Sequence, residues 1–140
     1  MTRARRWIIG RGLLGRAVER ARPDEAFAVR LPWNDPDRTV EAIAVALPEF
    51  AASDSRLEVY WCAGRGVTST PREQLAVEAS VFDRVLEVFL AAPSDVRSRL
   101  AFFLASSVGG AYAGSGTPPF TESTPAAPLS RVARAQAIIA

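Results

Sequence analysis

The chain has 140 residues, with 17 basic and 15 acidic side chains and a formal net charge of +2. All of the basic residues are arginines, and neither lysine nor histidine occurs, so the chain by itself lacks lysine-based chemistry, histidine triads and histidine metal sites. The balanced charge and the scattered arginines argue against nucleic acid as a partner. We therefore expect no metal site and no nucleic-acid partner.

The length and composition are typical of one globular domain. Apolar residues make up 49% of the chain, and Cys62, the only cysteine, lies in an apolar run that favours a buried and unreactive thiol. The apolar stretches fall well short of the roughly 20 residues of a membrane helix. The apolar residues 7–9 are too few for a signal peptide. These features predict a cytoplasmic protein that does not interact with a membrane.

The hydrophobic pattern predicts alternating strands and helices. In chain order, these are a strand at 6–9, a helix at 13–22, a strand at 26–31, a helix at 38–52, a strand at 57–62, a helix at 70–91, a strand at 99–105 and a helix at 130–139. Proline and glycine are frequent in 106–130, which predicts an irregular segment there. The alternation indicates an α/β fold, a Rossmann-like doubly wound parallel sheet with helices on both faces.

Apolar residues at three-to-four spacing set the predicted inward faces of the helices. They are Leu13, Leu14, Ala17, Val18 and Ala21 in the first helix, Val40, Ile43, Ala44 and Leu47 in the second, and Leu75, Val77, Ala79, Phe82, Val85, Leu86 and Phe89 in the third. The second helix contains Pro48, a position where it is expected to end or kink. The third is predicted to begin with Thr70 as N-cap and Pro71 as its first residue. The strand at 99–105 is apolar without alternation, as a buried parallel strand should be.

Between the first strand and the first helix lies Gly10-Arg11-Gly12-Leu13-Leu14-Gly15. In such a loop the first glycine permits a tight turn, the second lets the backbone approach a pyrophosphate, and the third lets the helix pack closely on the strand. The helix N-terminus adds free N–H groups and a partial positive charge. This context favours dinucleotide binding by residues 10–15 over a glycine-rich turn without a ligand.

The residues near the second strand bear on which dinucleotide is bound. An acidic residue about 20 positions after the loop grips the adenosine ribose in NAD-binding proteins, and here that place falls near Asp35. Arg30 ends the second predicted strand, and Arg11 lies in the loop. An arginine at either place pairs well with a ribose 2′-phosphate. NADP is therefore slightly favoured over NAD, and a solvent-facing strand end is the alternative for Arg30.

Three segments resemble the extended short-chain dehydrogenase/reductase family, the NAD(P)-dependent sugar epimerases and dehydratases. They are residues 8–15, which contain the glycine loop, residues 60–64, which read Tyr-Trp-Cys-Ala-Gly, and residues 103–130, which contain Ser106-Ser107, Tyr112, Pro119-Phe120-Thr121-Glu122 and Pro128-Leu129-Ser130. The resemblance implies that Ala63 and Gly64 lie beside the cofactor. The third segment is the most specific of the three.

The resemblance also implies where catalytic residues should lie. The family uses a Ser or Thr, a Tyr that transfers the proton, and a Lys four residues after the Tyr that lowers its pKa and holds the ribose. Ser107 is the match for the serine, with Ser106 as the alternative. Val132 stands at the Tyr position and Gln136 at the Lys position, where Gln136 can still hydrogen-bond a ribose.

This departure removes the usual acid/base pair, because Val132 has no proton to transfer and Gln136 has no charge. The two tyrosines do not replace it: Tyr112 matches a structural tyrosine of the family, and Tyr60 lies in a strand. The chain is thus expected to be a divergent relative of the epimerases and dehydratases that binds a nucleotide sugar or another small molecule. The alternative is a non-catalytic NADP(H)-binding regulatory or interaction module. A fragment with neither function is a third alternative.

The resemblance covers only the first half of a usual family member. We therefore expect residues 1–140 to form an incomplete NAD(P)-binding Rossmann domain that lacks the C-terminal substrate domain. One edge of its sheet should be open. A homo-oligomer, another partner or further sequence is expected to cover that edge.

Overall fold

The computed structural model describes residues 4–21, 26–64 and 70–105, together with 112, 114–116, 118–121, 123–125 and 127. The chain divides into two units, Met1–Gly64 with Val81–Ala105 and Arg65–Ser80 with Ser106–Ala140. The first unit contains the sheet and the glycine loop.

Four strands and four helices are present in the described chain. In order they are β1 (Ala4–Ile9), α1 (Leu13–Ala21), β2 (Ala26–Phe27), α2 (Pro36–Ala51), β3 (Arg56–Trp61), α3 (Arg72–Leu90), α4 (Ser94–Arg97) and β4 (Leu100–Leu104). The strands are all parallel and lie in the order β2-β1-β3-β4. The predicted α/β fold, a Rossmann-like parallel sheet flanked by helices, is confirmed.

The main core lies where α2 and α3 cover one face of the sheet. The Trp7 side chain of β1 is 1% exposed, and its ring centroid lies 5.0 Å from Phe27, 5.3 Å from Phe50 and 5.8 Å from Phe89. In register beside Trp7, Val59 of β3 is also fully buried. Because these partners come from β2, α2, α3 and β3, the Trp7 indole links most of the first unit. Burial of one such side chain contributes about 1.5–3 kcal/mol.

The other sheet face is more polar. Arg6 of β1 and Glu58 of β3 are opposite each other and form a largely buried ion pair, with Nε 2.9 Å from Oε2. Farther across, Tyr60 stacks on Phe103 of β4 with ring centroids 4.6 Å apart, and Phe103 is 40% exposed. The prediction that the fourth strand is fully buried is therefore wrong. Since β4 is the last strand of the described sheet, only β3 flanks it, and its apolar residues are half-buried.

The apolar stripe of α1 does not face the sheet. Gly15 is the buried residue of this helix, and Leu13 and Leu14 are 91% and 51% exposed. Ala17 and Ala21 are exposed as well. The predicted inward face of this helix is wrong, because the close packing of Gly15 on the sheet fixes the rotation of α1 and turns the stripe aside.

The second strand is much shorter than the predicted 26–31. Only Ala26 and Phe27 pair with β1, opposite Arg6 and Trp7. Residues 28–31 leave the sheet, and the chain turns where the Trp33 amide donates to the Leu31 carbonyl over 3.1 Å. The apolar residues of this segment line a cavity and do not extend the sheet.

The α2 helix begins at its predicted capping loop. The Asp35 carboxylate caps it by accepting from the Arg38 amide, and Pro36 is its first residue. Pro48 lies inside the helix and does not end it. Both Pro48 and Ala44 are on the exposed side, where water can satisfy the carbonyl that loses its partner.

The buried face of α2 differs from the predicted one at several positions. Its buried residues are Thr39, Ile43, Ala46, Leu47 and Phe50. Val40 is only half-buried and Ala44 is exposed. The apolar pattern was too evenly spread around this helix to fix the direction of the core.

Two arginines from other elements cap the C-terminal end of α2, whose last turn has no basic residue of its own. Arg5 of β1 donates to the carbonyls of Glu49 and Phe50 over 2.7 and 3.3 Å. Arg99 donates to the carbonyls of Ser53, Ser55 and Ala51 over 2.5, 2.8 and 3.3 Å. A guanidinium with five donors in a rigid fork suits this shared capping. These contacts fix the connection between α2 and β3.

The α3 helix has the predicted extent to within two residues at each end. Phe82, Val85 and Phe89 are buried as predicted, whereas Val77 is 50% exposed and was wrongly placed inward. The short α4 helix was not predicted. None of the helices in the described part of the chain has the length and apolar character needed to span a membrane.

Replacing Arg99 tests the capping of α2. We expect Arg99→Ala to lower the free energy of unfolding by about 2 kcal/mol, since it leaves carbonyls of a half-buried connection without donors. Arg99→Lys should lose less, because it retains one charged donor. The measurement is urea denaturation, with Arg38→Ala, at an exposed position, as a control that should change stability by less than about 0.5 kcal/mol. Equal stability of the Arg99→Ala and control variants would contradict the capping role.

Candidate functional site

The glycine loop lies at the point where the sheet changes its direction of winding. From β1 the chain passes to β2 on one side of the sheet, and then to β3 on the opposite side of β1. Such a switch in strand order is expected to leave a crevice at the carboxyl ends of these strands. In open α/β sheets this is where ligands bind.

Gly10 is required by the fold itself. It has a φ of +93°, and a Cβ built on it would lie 2.6 Å from the carbonyl carbon of Cys62 and still closer to the backbone of Ala63. The same approach brings the Cys62 amide 2.8 Å from the carbonyl oxygen of Ile9, to which it donates. Any side chain at position 10 would push β1 and β3 apart at their carboxyl ends.

Gly15 is also required by the fold. A Cβ at this position would overlap the carbonyl oxygen of Gly10 and would lie 3.2 Å from Cγ2 of Ile8. The absence of a side chain therefore lets α1 start directly against the end of β1. This agrees with the role predicted for the third glycine of the loop.

Gly12 differs from its two neighbours in the motif. A Cβ at this position would meet no atom of the described residues within 4 Å, and its φ lies outside the left-handed range. Its carbonyl accepts from the Arg16 amide over 3.0 Å, so Gly12 directly precedes the first turn of α1. Packing and backbone conformation thus give no reason for glycine here, whereas a ligand that approaches the loop backbone would give one.

A cavity of about 360 Å³ lies beside this loop. Its lining includes Gly10, Arg11, Arg30 and Trp33. The cavity wall opposite the loop is formed by residues 28–31, the segment that leaves the sheet after β2. Arg11 and Arg30, which are far apart in sequence, therefore border one space, and they are the charged residues of the described lining.

Arg11 and Arg30 differ in their other contacts. The Arg11 guanidinium forms an ion pair with Glu19 at 2.5 Å, with the Arg11 side chain 54% exposed. Arg30 is exposed and was predicted to end a strand, but it lies three residues beyond β2. Both side chains have access to an anion, and for Arg11 the Glu19 carboxylate competes with it.

Asp35, the residue nearest the expected ribose-binding position, has another function. Its carboxylate accepts from the Arg38 amide over 3.1 Å and caps α2. Arg30, five residues before Asp35, lines the cavity instead.

The loop after β3 forms the other side of the crevice. Ala63 packs against Gly10, as described above, and Gly64 has a φ of +145°, with no atom of the described residues within 4 Å of a Cβ built on it. Cys62 is half-buried, and this burial raises the pKa of its thiol. A half-buried thiol with a raised pKa agrees with the prediction of an unreactive cysteine.

Several predicted site residues lie outside the described part of the chain. These are Ser107, its alternative Ser106, Val132 and Gln136. Thr70, the predicted cap of the third helix, is described, and α3 begins two residues after it. The proposed catalytic position therefore stays a prediction.

The two tyrosines have packing contacts. In the second unit, Tyr112 stacks on Phe120 with ring centroids 5.2 Å apart. In the first, the Tyr60 hydroxyl donates to Glu58 over 3.2 Å, and burial, followed by the charge of Glu58, raises the pKa of Tyr60. A raised pKa keeps this phenol protonated at neutral pH and unsuited to act as a base.

Trp33 is the cavity residue that sequence reasoning missed. It follows Pro32 in the loop between β2 and α2, where an aromatic residue has no packing role that periodicity could reveal. The available signal was its place, three residues after Arg30 and at the carboxyl end of a strand.

No protein-family model matches the chain, and no curated protein matches its sequence.

Alanine substitutions at Gly10 and Gly12 should have different effects on stability. We expect Gly10→Ala to lower the free energy of unfolding by at least about 2 kcal/mol, because of its positive φ and its contact with β3. Gly12→Ala should change stability by less than about 0.5 kcal/mol. Urea denaturation of the two variants measures both values. A loss at Gly12 as large as that at Gly10 would show that the fold requires both glycines.

Proposed function

We propose that the chain binds a nicotinamide dinucleotide, with NADP(H) preferred over NAD(H), in the crevice between β1 and β3. The observation that carries the proposal is Gly12, a glycine in open space at the start of α1. The fold accounts for Gly10 and Gly15 but not for Gly12. A pyrophosphate lying against the loop backbone accounts for it.

Residues of this chain would hold different parts of the cofactor. The backbone of residues 10–15 and the N-terminus of α1 would bind the pyrophosphate, where free N–H groups favour an anion. Arg30, with Arg11, would pair with the 2′-phosphate. Ala63 and Gly64 provide a small-residue surface on the other side of the crevice. The residues present therefore fit the group.

The proposed cofactor binding by this chain does not depend on catalysis. A bound nicotinamide supplies hydride transfer, and the resemblance to epimerases and dehydratases implies that Ser107 orients a substrate hydroxyl or carbonyl. Proton transfer in that family needs a Tyr and a Lys, and Val132 and Gln136 stand at those positions. We propose that the chain is a divergent member of that family that retains the cofactor site.

The alternative is a non-catalytic NADP(H)-binding regulatory or interaction module. It is favoured by the same two residues and by the absence of any lysine or histidine from the chain. Turnover of a nucleotide sugar by the 140-residue protein with NADP(H) would eliminate this alternative. In either case the dinucleotide site is the same.

Binding is tested on the full chain by calorimetric titration and thermal denaturation. NADP(H) at 100 times its Kd should stabilise the protein by about 2.7 kcal/mol and raise Tm by at least about 5 °C. Gly12→Ala should retain the Tm of the free protein and lose this shift. Gly116→Ala, also in open space, is the matched control and should retain the shift. Absence of any shift in the unmodified chain at millimolar cofactor would refute the proposed function.

The preference for NADP(H) is tested at Arg30. Removing its charged donors in Arg30→Ala should weaken NADP(H) binding about tenfold, the effect of one charge-assisted hydrogen bond. NAD(H) binding should change by less than about twofold, because the 2′-hydroxyl needs no cation. Titration of both cofactors measures the two effects, with Arg38→Ala as control. Equal losses for NAD(H) and NADP(H) would contradict a role in recognising the 2′-phosphate.

A further inference from the structure

Trp33 is unusually exposed for a tryptophan of this chain. Its relative exposure is 46%, whereas Trp7 and Trp61 are 1% and 6% exposed. The exposed ring borders the cavity that also contains Arg11 and Arg30. Exposing a large aromatic surface to water is unfavourable by itself, so its position calls for a use beyond packing.

The turn that carries Trp33 is held in place by buried contacts. Thr39 is 1% exposed, and its hydroxyl donates to the carbonyl of Pro32 over 2.8 Å. The Asp35 amide donates to the same carbonyl, also over 2.8 Å, and the Trp33 amide donates to Leu31. The backbone on both sides of Trp33 is therefore fixed before any ligand binds.

The indole ring is also braced from inside the unit. It forms a T-shaped contact with buried Trp61, with a centroid distance of 6.3 Å and an interplanar angle of 76°. Trp61 in turn contacts Phe82 of α3 at 5.1 Å. Because Trp33 is 46% exposed, part of its ring surface remains free, and a surface that is fixed in advance binds a second ring at a low entropic cost.

The cavity thus combines one aromatic ring with two guanidinium groups, and none of its described lining residues is acidic. Flat aromatic faces bind nucleobases by stacking, and arginines bind phosphates. Resting on the proposed function, we infer that Trp33 is the stacking surface for the base of the bound nucleotide. Trp33 is then a specificity-determining residue that selects base-containing phosphates over phosphates without a ring.

The test uses the full chain and three probes: NADPH, adenosine 2′,5′-bisphosphate and inorganic pyrophosphate. Trp33→Leu removes the aromatic face, and we expect it to weaken binding of the bisphosphate about tenfold, the effect of losing one stacked base. Pyrophosphate binding should change by less than about twofold. Trp33→Phe, which retains a ring, should bind the bisphosphate within about threefold of the unmodified chain.

Tryptophan fluorescence gives a second readout that does not depend on the leucine variant folding. The bisphosphate should quench the emission of the unmodified chain, and Trp33→Phe should bind it without that quenching, since the two remaining tryptophans are buried. The inference would be overturned by unchanged bisphosphate affinity in Trp33→Leu or by quenching that persists in Trp33→Phe. If NADPH still binds in that case, the proposed function stands. Failure of the unmodified chain to bind NADPH would overturn both.

Discussion

The first unit depends on the close approach of two backbones, that of Gly10 at the end of β1 and that of Ala63 after β3. This approach exists because position 10 has no side chain and adopts a positive φ. It lets β1 and β3 remain paired up to their ends while the chain turns into α1. The packing of Gly15 on the same turn then sets how α1 lies on the sheet. The crevice and its flanking loops thus follow from a constraint on one glycine.

The arginines are the only basic residues of this chain, and two groups of them in the first unit differ in their surroundings. Arg5, Arg6 and Arg99 are used internally, to cap α2 and to neutralise Glu58. Arg11 and Arg30 instead border the cavity beside the glycine loop. The first group stabilises the scaffold, and the second is available for an anion. This division, together with the open space at Gly12, supports a site built for binding. If the resemblance to the epimerases and dehydratases holds, Val132 and Gln136 stand at the acid/base positions, and the proposed binding would be separate from the usual chemistry.

Much of the fold could be predicted from the sequence, because a regular alternation of strand and helix patterns permits few arrangements other than a covered parallel sheet. The errors come from what a local pattern leaves open. Periodicity shows that a helix has an apolar face but not where that face points, so the stripe of α1 and the positions Val40, Ala44 and Val77 were misplaced. Apolar composition likewise does not show whether a strand is central or at an edge, which is why the burial of β4 was overestimated. The length of β2 was overestimated because the apolar residues among 28–31 form a cavity wall and do not pair in the sheet.

The candidate site divides in the same way. The sequence by itself determined that a glycine loop joins the first strand to the first helix, because spacing and flanking patterns are local properties of the chain. It also identified Arg11 and Arg30 as separate candidates. Only the tertiary structure decided that these arginines share one cavity with Trp33, that Asp35 is used to cap a helix, and that Gly12 alone of the three glycines is unexplained by packing. The physical reason is that each of these facts is a distance between segments remote in the chain, and such distances are set by the paired strands and the packed helices together.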